Sequence, residues 1–118
     1  MKKILIVDDE ASWRMSLAAQ LKLKGWGVIE AEDGMMGLEL AQQQKPDVIL
    51  SDVQMDVMNG FMMVENLKGN PATASVPVIM MTSAAQGAGA WKSDIAVEYL
   101  EKPFTLVKLL EVLGKVVK

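Results

Sequence analysis

The sequence contains neither cysteine nor histidine. The first absence excludes a disulfide framework, a thiol nucleophile and any thiolate metal site. The second removes the usual general base and the commonest soft metal ligand, so a metal bound here must be a hard cation on oxygen. An excess of positive charge is also missing. Lys and Arg number 12 against 15 Asp and Glu, a net charge of −3 that offers no electrostatic basis for direct nucleic-acid binding. Met1-Lys2-Lys3 leads into a hydrophobic stretch of only four residues, Ile4 to Val7, too short for a signal or membrane segment. The chain therefore reads as soluble and cytoplasmic, with no membrane partner. Repeats, linkers and low-complexity tracts are lacking, and 118 residues suffice for one core but not two. Residues 1–118 are read as one domain, acting alone or excised from a longer protein.

What is present is a regular alternation. Apolar runs of four to six residues alternate with segments of helical period, the pattern of βα units on a parallel sheet, and five such units fit the chain. The first helix is expected over Ala11 to Lys24, with Trp13, Leu17 and Leu21 on one face and Gly25 as its stop. A strand over Val28 to Ala31 leads through Asp33-Gly34 to a helix over Met36 to Gln43, ended by Lys45-Pro46. The third strand ends at Asp52. A helix over Gly60 to Lys68 carries Phe61, Val64 and Leu67 and closes at the Asn70-Pro71 turn, and Pro77 opens the fourth strand. The fourth helix, between Ser83 and Ile95, is expected to be short or mobile, because Gly87 and Gly89 each cost about 1 kcal/mol relative to alanine. The fifth, Leu106 to Val117, presents Leu106, Leu109, Leu110 and Leu113 on one face. The ten methionines read as core and loop fillers, with an adaptable Met-rich surface as the alternative.

Four of the apolar runs end on residues with phosphate or metal chemistry. Ile4 to Val7 leads to Asp8-Asp9, Val48 to Ser51 leads to Asp52, Val78 to Met81 leads to Thr82, and Tyr99-Leu100-Glu101 leads to Lys102. In a parallel sheet these C-terminal ends share one edge, where ligand sites form in open α/β folds. Each residue alone has a plainer reading. Asp8-Asp9-Glu10 would complement the first helix's N-terminus and Asp52 would cap a loop. Thr82 would be a β-branched strand residue, and Lys102 an exposed strand end before a Pro103 turn. Together they are hard to explain by stability, since carboxylates a few ångströms apart repel by about 4 kcal/mol per pair at an effective dielectric of about 20. They do supply what an acyl phosphate on Asp52 requires: Mg²⁺ on a few carboxylates, a cation for one phosphoryl oxygen and a hydroxyl for another. Asp52 must be ionised to attack phosphorus. Neighbouring acids oppose that state, whereas Mg²⁺ and Lys102 favour it, so metal binding should precede phosphorylation.

Further signatures recur in order: Ile6-Val7-Asp8-Asp9-Glu10, Arg14, Gly25, Ala31 with Asp33-Gly34, Lys45-Pro46-Asp47, Asp52 with Met55, Met58-Asn59-Gly60, Pro77-Val78-Ile79, Thr82-Ser83-Ala84 and Tyr99 through Phe104. Over nearly its whole length the chain resembles the receiver domains of two-component response regulators, with the chemotaxis-type single-domain regulators similar in layout. The resemblance implies a flavodoxin-like (βα)5 three-layer sandwich with a parallel sheet in the order 2-1-3-4-5. It implies that Asp52 accepts a phosphoryl group from a histidine kinase or a histidine phosphotransfer protein. Mg²⁺, with Mn²⁺ able to substitute, would be held by Asp8, Asp9, Asp52 and the backbone carbonyl of Gln54. Thr82, Lys102 and the backbone N–H of Ser83 would bind phosphoryl oxygens, Thr82 and Tyr99 would form the switch, and Lys102-Pro103 would be a cis peptide. An output partner would dock on the face shared by the fourth helix, fifth strand and fifth helix, with Trp91 and Tyr99 as candidate contacts. The chain would be a monomer or a phosphorylation-dependent dimer. It would not be an enzyme beyond self-catalysed transfer and slow autodephosphorylation.

Three positions depart from the family's pattern. Asp56 stands where proline usually follows Met55, which should loosen the loop and add a negative charge beside the site. The span from Thr82 to Lys102 is slightly short, and Ile95 replaces a glycine before Ala96. Trp91 lies in that span, as a partner-binding anchor or as a cover for the fourth helix. Gln54 and Ala84 occupy positions that in this family tune dephosphorylation. Other function classes fit less well. A phosphorylation-independent binding module leaves the complete set of Asp8, Asp9, Asp52, Thr82 and Lys102 without a purpose, and a phosphorelay intermediate would use the same aspartate. A phosphoester hydrolase would want an acid where Gln54 stands. A nucleotide-binding flavodoxin-like protein would want a Gly- or Ser/Thr-rich loop after the first strand, where Asp8-Asp9-Glu10 would repel phosphate.

Overall fold

A computed structural model describes residues 2–53, 57–83 and 98–117. The expected fourth helix between Ser83 and Ile95, together with Trp91, Gln54, Asp56 and Ile95, lies outside the described residues. The elements follow as β1 (Lys3–Val7), α1 (Ala11–Leu23), β2 (Gly27–Ala31), α2 (Gly34–Gln44), β3 (Val48–Asp52), α3 (Gly60–Lys68), β4 (Val78–Ser83), β5 (Glu98–Lys102) and α4 (Leu106–Val116). All strand pairings are parallel and the order is β2-β1-β3-β4-β5, the flavodoxin-like arrangement that the resemblance implies. The helix labelled α4 is the fifth helix of the sequence reading.

The strand runs are continuously apolar because helices cover both faces of the sheet. Alternation along each strand then divides the core in two. Ile4, Ile6, Val48, Leu50, Ile79, Met81 and Leu100 pack with Leu17 and Leu21 of α1 and with Leu109, Val112 and Leu113 of α4. Leu5, Val7, Ile49, Val78 and Met80 face the other way, onto Ala41 of α2 and onto Met63, Val64 and Leu67 of α3. Two of these contacts are additions to the sequence reading. Val112 lies between the leucines of α4, and Met63 takes a fully buried place on α3 while Phe61 is only half-buried. The methionines divide likewise: Met63, Met80 and Met81 are buried, whereas Met15, Met35, Met36 and Met62 are exposed.

Helix ends are set by local polar chemistry. Asp33 caps α2 by accepting the Met36 N–H at 2.8 Å, Asn59 caps α3 through the Met62 N–H at 2.9 Å, and Thr105 caps α4 through the Lys108 N–H at 3.1 Å. With Asp33 as cap, α2 begins at Gly34, two residues before the expected start at Met36. Past the end of α1, Gly25 turns the chain with φ of 93°, a left-handed conformation that suits glycine.

Candidate metal and phosphoryl site

Asp8 follows directly on β1, and its N–H donates to the Ala31 carbonyl at 3.0 Å, extending the β1–β2 pairing by one bond. Its carboxylate is fully buried. A charge at that depth requires partners, and among the described residues the Glu10 N–H donates to Oδ1 at 2.9 Å and the Lys102 ammonium to Oδ2 at 2.6 Å. The same ammonium lies 3.6 Å from Asp52 Oδ2. Lys102, at the end of β5, thus stands between carboxylates from two other strand ends.

Asp8, Asp9 and Asp52 each offer a carboxylate oxygen, all within 4.8 Å of one another. Asp8 is buried, Asp52 half-buried and Asp9 exposed, so the cluster opens to solvent on the Asp9 side. There it adjoins a cavity of about 210 Å³ lined by Asp9, Glu32, Asp33 and Val57. Hard oxygen donors beside open space suit Mg²⁺, which binds through a few carboxylates and keeps several waters.

The side chains of Glu10 and Asp52 do not cap the helices beside them. The N-cap of α1 is Glu10, which makes no side-chain cap bond, and Asn59 rather than Asp52 caps α3. The backbone around the acids is pinned from both sides. Arg14 donates from Nη1 to the Asp8 carbonyl at 2.7 Å and from Nε to Glu30 Oε1 at 3.0 Å, tying the end of β1 to β2. At the end of β3, the Gly60 N–H donates to the Val53 carbonyl at 2.9 Å. A Cβ at Gly60 would stand 2.5 Å from the Asp52 carbonyl oxygen, so only glycine lets α3 seat this closely on the Asp52 backbone. The sequence alone gives Arg14 as a family signature, and Gly60 as a signature and a helix start. Of these contacts only Arg14 to Glu30 is long-range, the others reaching back six to eight residues across a strand–helix junction, and Asn59-Gly60 is the one local signal.

Thr82 and Tyr99 lie elsewhere. Thr82 is buried one residue beyond Met81, the β4 partner of Asp52. Across the β4–β5 pairing Met80 faces Tyr99 and Thr82 faces Glu101, which makes Thr82 and Tyr99 diagonal neighbours on one face. That is the α2–α3 face, onto whose core the half-buried Tyr99 packs. Asp52 and Lys102 follow the opposite alternation, that of Leu50 and Leu100 on the α1–α4 side. Ser83 pairs with Lys102 along the backbone, and the Lys102–Pro103 peptide bond is cis. Trp13, read from the sequence as a core position, stands beside Lys102, with the ammonium 5.5 Å from its ring centroid.

Comparison with known proteins agrees with this geometry. The family model of the response regulator receiver domain matches residues 4–114. Protein PilH of Pseudomonas aeruginosa is 39% identical over 118 residues, covering 98% of each chain. RpaA of Synechocystis, a DNA-binding master transcriptional regulator, is 33% identical over 112 residues, but the chain spans only 46% of its length. Among solved structures, the chemotaxis protein CheY4 of Vibrio cholerae superposes with a TM-score of 0.85 at 34% identity, covering 99% of both chains. The receiver domain of a sensor histidine kinase from Pseudomonas aeruginosa, crystallised with a magnesium ion coordinated in its active-site cleft, gives a TM-score of 0.88 at 26% identity over 98% of this chain and 96% of that one. The acidic strand ends, the parallel sheet and these relatives agree that the chain belongs to the response regulator receiver domains of two-component signalling.

Proposed function

We propose that residues 1–118 act as one receiver domain that takes a phosphoryl group onto Asp52 and changes conformation to control a partner protein. The observation that carries this reading is the convergence of Asp8, Asp9 and Asp52 within 4.8 Å, with the Lys102 ammonium between two of them. The donor is a phosphohistidine on a histidine kinase or a histidine phosphotransfer protein. An Asp52 carboxylate oxygen attacks phosphorus, the P–N bond breaks, and the leaving imidazole takes its proton from solvent, which leaves an acyl phosphate on Asp52. Asp8, Asp9 and Asp52, with the backbone carbonyl of Gln54 as a further ligand, would hold Mg²⁺, or Mn²⁺ in its place, which would neutralise charge on the transferring group. Lys102 exchanges a carboxylate for one phosphoryl oxygen, while the Thr82 hydroxyl and the Ser83 N–H take another. Since no substrate is turned over, the domain is a switch and not an enzyme, and its acyl phosphate is lost by slow hydrolysis.

Thr82 carries the signal. Its movement toward the phosphoryl group vacates space beside Tyr99 on the same sheet face, and Tyr99 turns inward to fill it. The altered surface is the one formed by the segment before β5, β5 itself and α4, with Trp91 and Tyr99 as contacts for the output partner. The reading places the domain in the cytoplasm, as a monomer or a phosphorylation-dependent dimer. Among the described residues, no helix is long and apolar enough to cross a membrane.

The test is incubation with Mg²⁺ and acetyl phosphate, followed by intact-mass spectrometry. The expected result is a gain of one phosphoryl group that Asp52→Asn abolishes with the fold retained. An adduct that persists in Asp52→Asn, or none in the native chain when Mg²⁺ is bound, would overturn the assignment.

A further inference from the structure

The Lys102 ammonium has an aromatic neighbour as well as two acidic ones. Besides Asp8 Oδ2 at 2.6 Å and Asp52 Oδ2 at 3.6 Å, the centroid of the Trp13 ring lies 5.5 Å away, within the range of a cation–π attraction. The ring is itself held. Its Nε1–H donates to the sulfur of Met81 at 3.3 Å, and Phe104 meets it edge to face at 5.1 Å with planes at 86°. Met81 immediately precedes Thr82 on β4, and Phe104 lies two residues beyond Lys102. From α1, then, Trp13 is anchored to both segments whose residues are to grip a phosphoryl group.

A ring differs from a carboxylate in what it asks of an ammonium. It attracts the charge but takes none of its three N–H donors in a directed bond, so all three remain available to oxygens. A lysine held only by carboxylates would lose one partner before gaining the next. Beside a ring it can swing from Asp8 to a new oxygen without leaving the attraction. We propose that Trp13 is a positioning residue for Lys102, confining its flexible ammonium where it passes from Asp8 to a phosphoryl oxygen on Asp52. This inference rests on the reading of Asp52 as phosphoacceptor.

The test compares native chain, Trp13→Leu and Trp13→Phe for the initial rate of Asp52 phosphorylation by acetyl phosphate with saturating Mg²⁺. Leucine keeps the apolar bulk and loses the ring face, whereas phenylalanine keeps a face and loses the N–H···S contact. A cation–π contribution made in the transition state predicts a maximal rate about tenfold lower in Trp13→Leu, an unchanged half-saturating acetyl phosphate concentration, and near-native rates in Trp13→Phe. A purely structural tryptophan would lower the melting temperature and leave the rate per folded molecule alone, so equal rates in all three chains would overturn the inference. A second readout needs neither folding of a variant at Trp13 nor phosphorylation. In the NMR spectrum of the native chain, the ε-methylene protons of Lys102, assigned by their loss in Lys102→Met, are expected to be shifted upfield by the ring current of Trp13. An ordinary lysine shift there would overturn the proposal. Failure of the native chain to form an adduct would instead count against the phosphoacceptor reading, leaving the ring-current result to decide on Trp13.

Discussion

On the face covered by α1 and α4, the sheet edge ends in Asp52 and Lys102 with Asp8 beside them, three charges joined by contacts of 2.6 and 3.6 Å. On the face covered by α2 and α3, the same edge carries the hydroxyls of buried Thr82 and half-buried Tyr99, with the exposed Glu101 paired beside Thr82. The difference follows from the two-residue alternation of a strand. Neighbouring residues at one strand end reach opposite sides of the sheet, so a reactive group and its reporter can be adjacent in sequence and separated in space. Charged partners cluster where a phosphoryl group must be bound. The buried and half-buried groups on the other side, Thr82 and Tyr99, are neutral, and the charge of Glu101 stays in solvent, so packing there can change without stranding a buried charge.

Substitutions at each face should break this division in different ways. Lys102→Met removes the cation shared by the acids and should have the largest effect. Adduct formation should slow by about 100-fold in an intact-mass time course. Because buried Asp8 loses its ammonium, stability should also fall by about 3 kcal/mol in urea titration. Gly60→Ala acts from the other side, pressing a methyl group toward the Asp52 carbonyl from α3. It should cost about 2 kcal/mol in the same titration. Arg14→Met frees the Asp8 carbonyl from its link to Glu30 and should raise the half-saturating Mg²⁺ concentration about tenfold, read by metal titration. Thr105→Ala sharpens the comparison because it lies on the charged side but only caps α4. A loss of about 1 kcal/mol with an unaltered phosphorylation rate is expected.

How much of this was legible in the sequence follows from the range of each interaction. The strands were plain because a sheet covered on both faces needs unbroken apolar runs such as Ile4 to Val7 and Val48 to Leu50, each ending at the edge. The helix stop at Gly25 and the turn at Asn70-Pro71 were likewise local. The apolar period predicts the start of α2 two residues late because Asp33-Gly34 has the composition of a turn, whereas Asp33 is the cap that makes Gly34 helical. Contacts across the chain left no local trace. Lys102 reaches Asp8 over 94 residues and Trp13 reaches Met81 over 68, so amphipathic spacing could assign Trp13 to a core face but not to the side of a lysine. The seating of α3 on Asp52 was hidden for a different reason: a glycine shows in sequence that a Cβ is absent, not what comes close in its place.

The separation of chemistry from signalling is tested most directly in Thr82→Ala. Tyr99 is the single tyrosine, so its ring resonances report on one site. The variant would be treated with Mg²⁺ and acetyl phosphate alongside the native chain, with the adduct followed by mass and Tyr99 by NMR. The expected result is an adduct in both chains, with Tyr99 resonances that shift in the native protein and stay in place in Thr82→Ala. An unchanged Tyr99 response in the variant, or loss of the adduct itself, would contradict the division between the two faces.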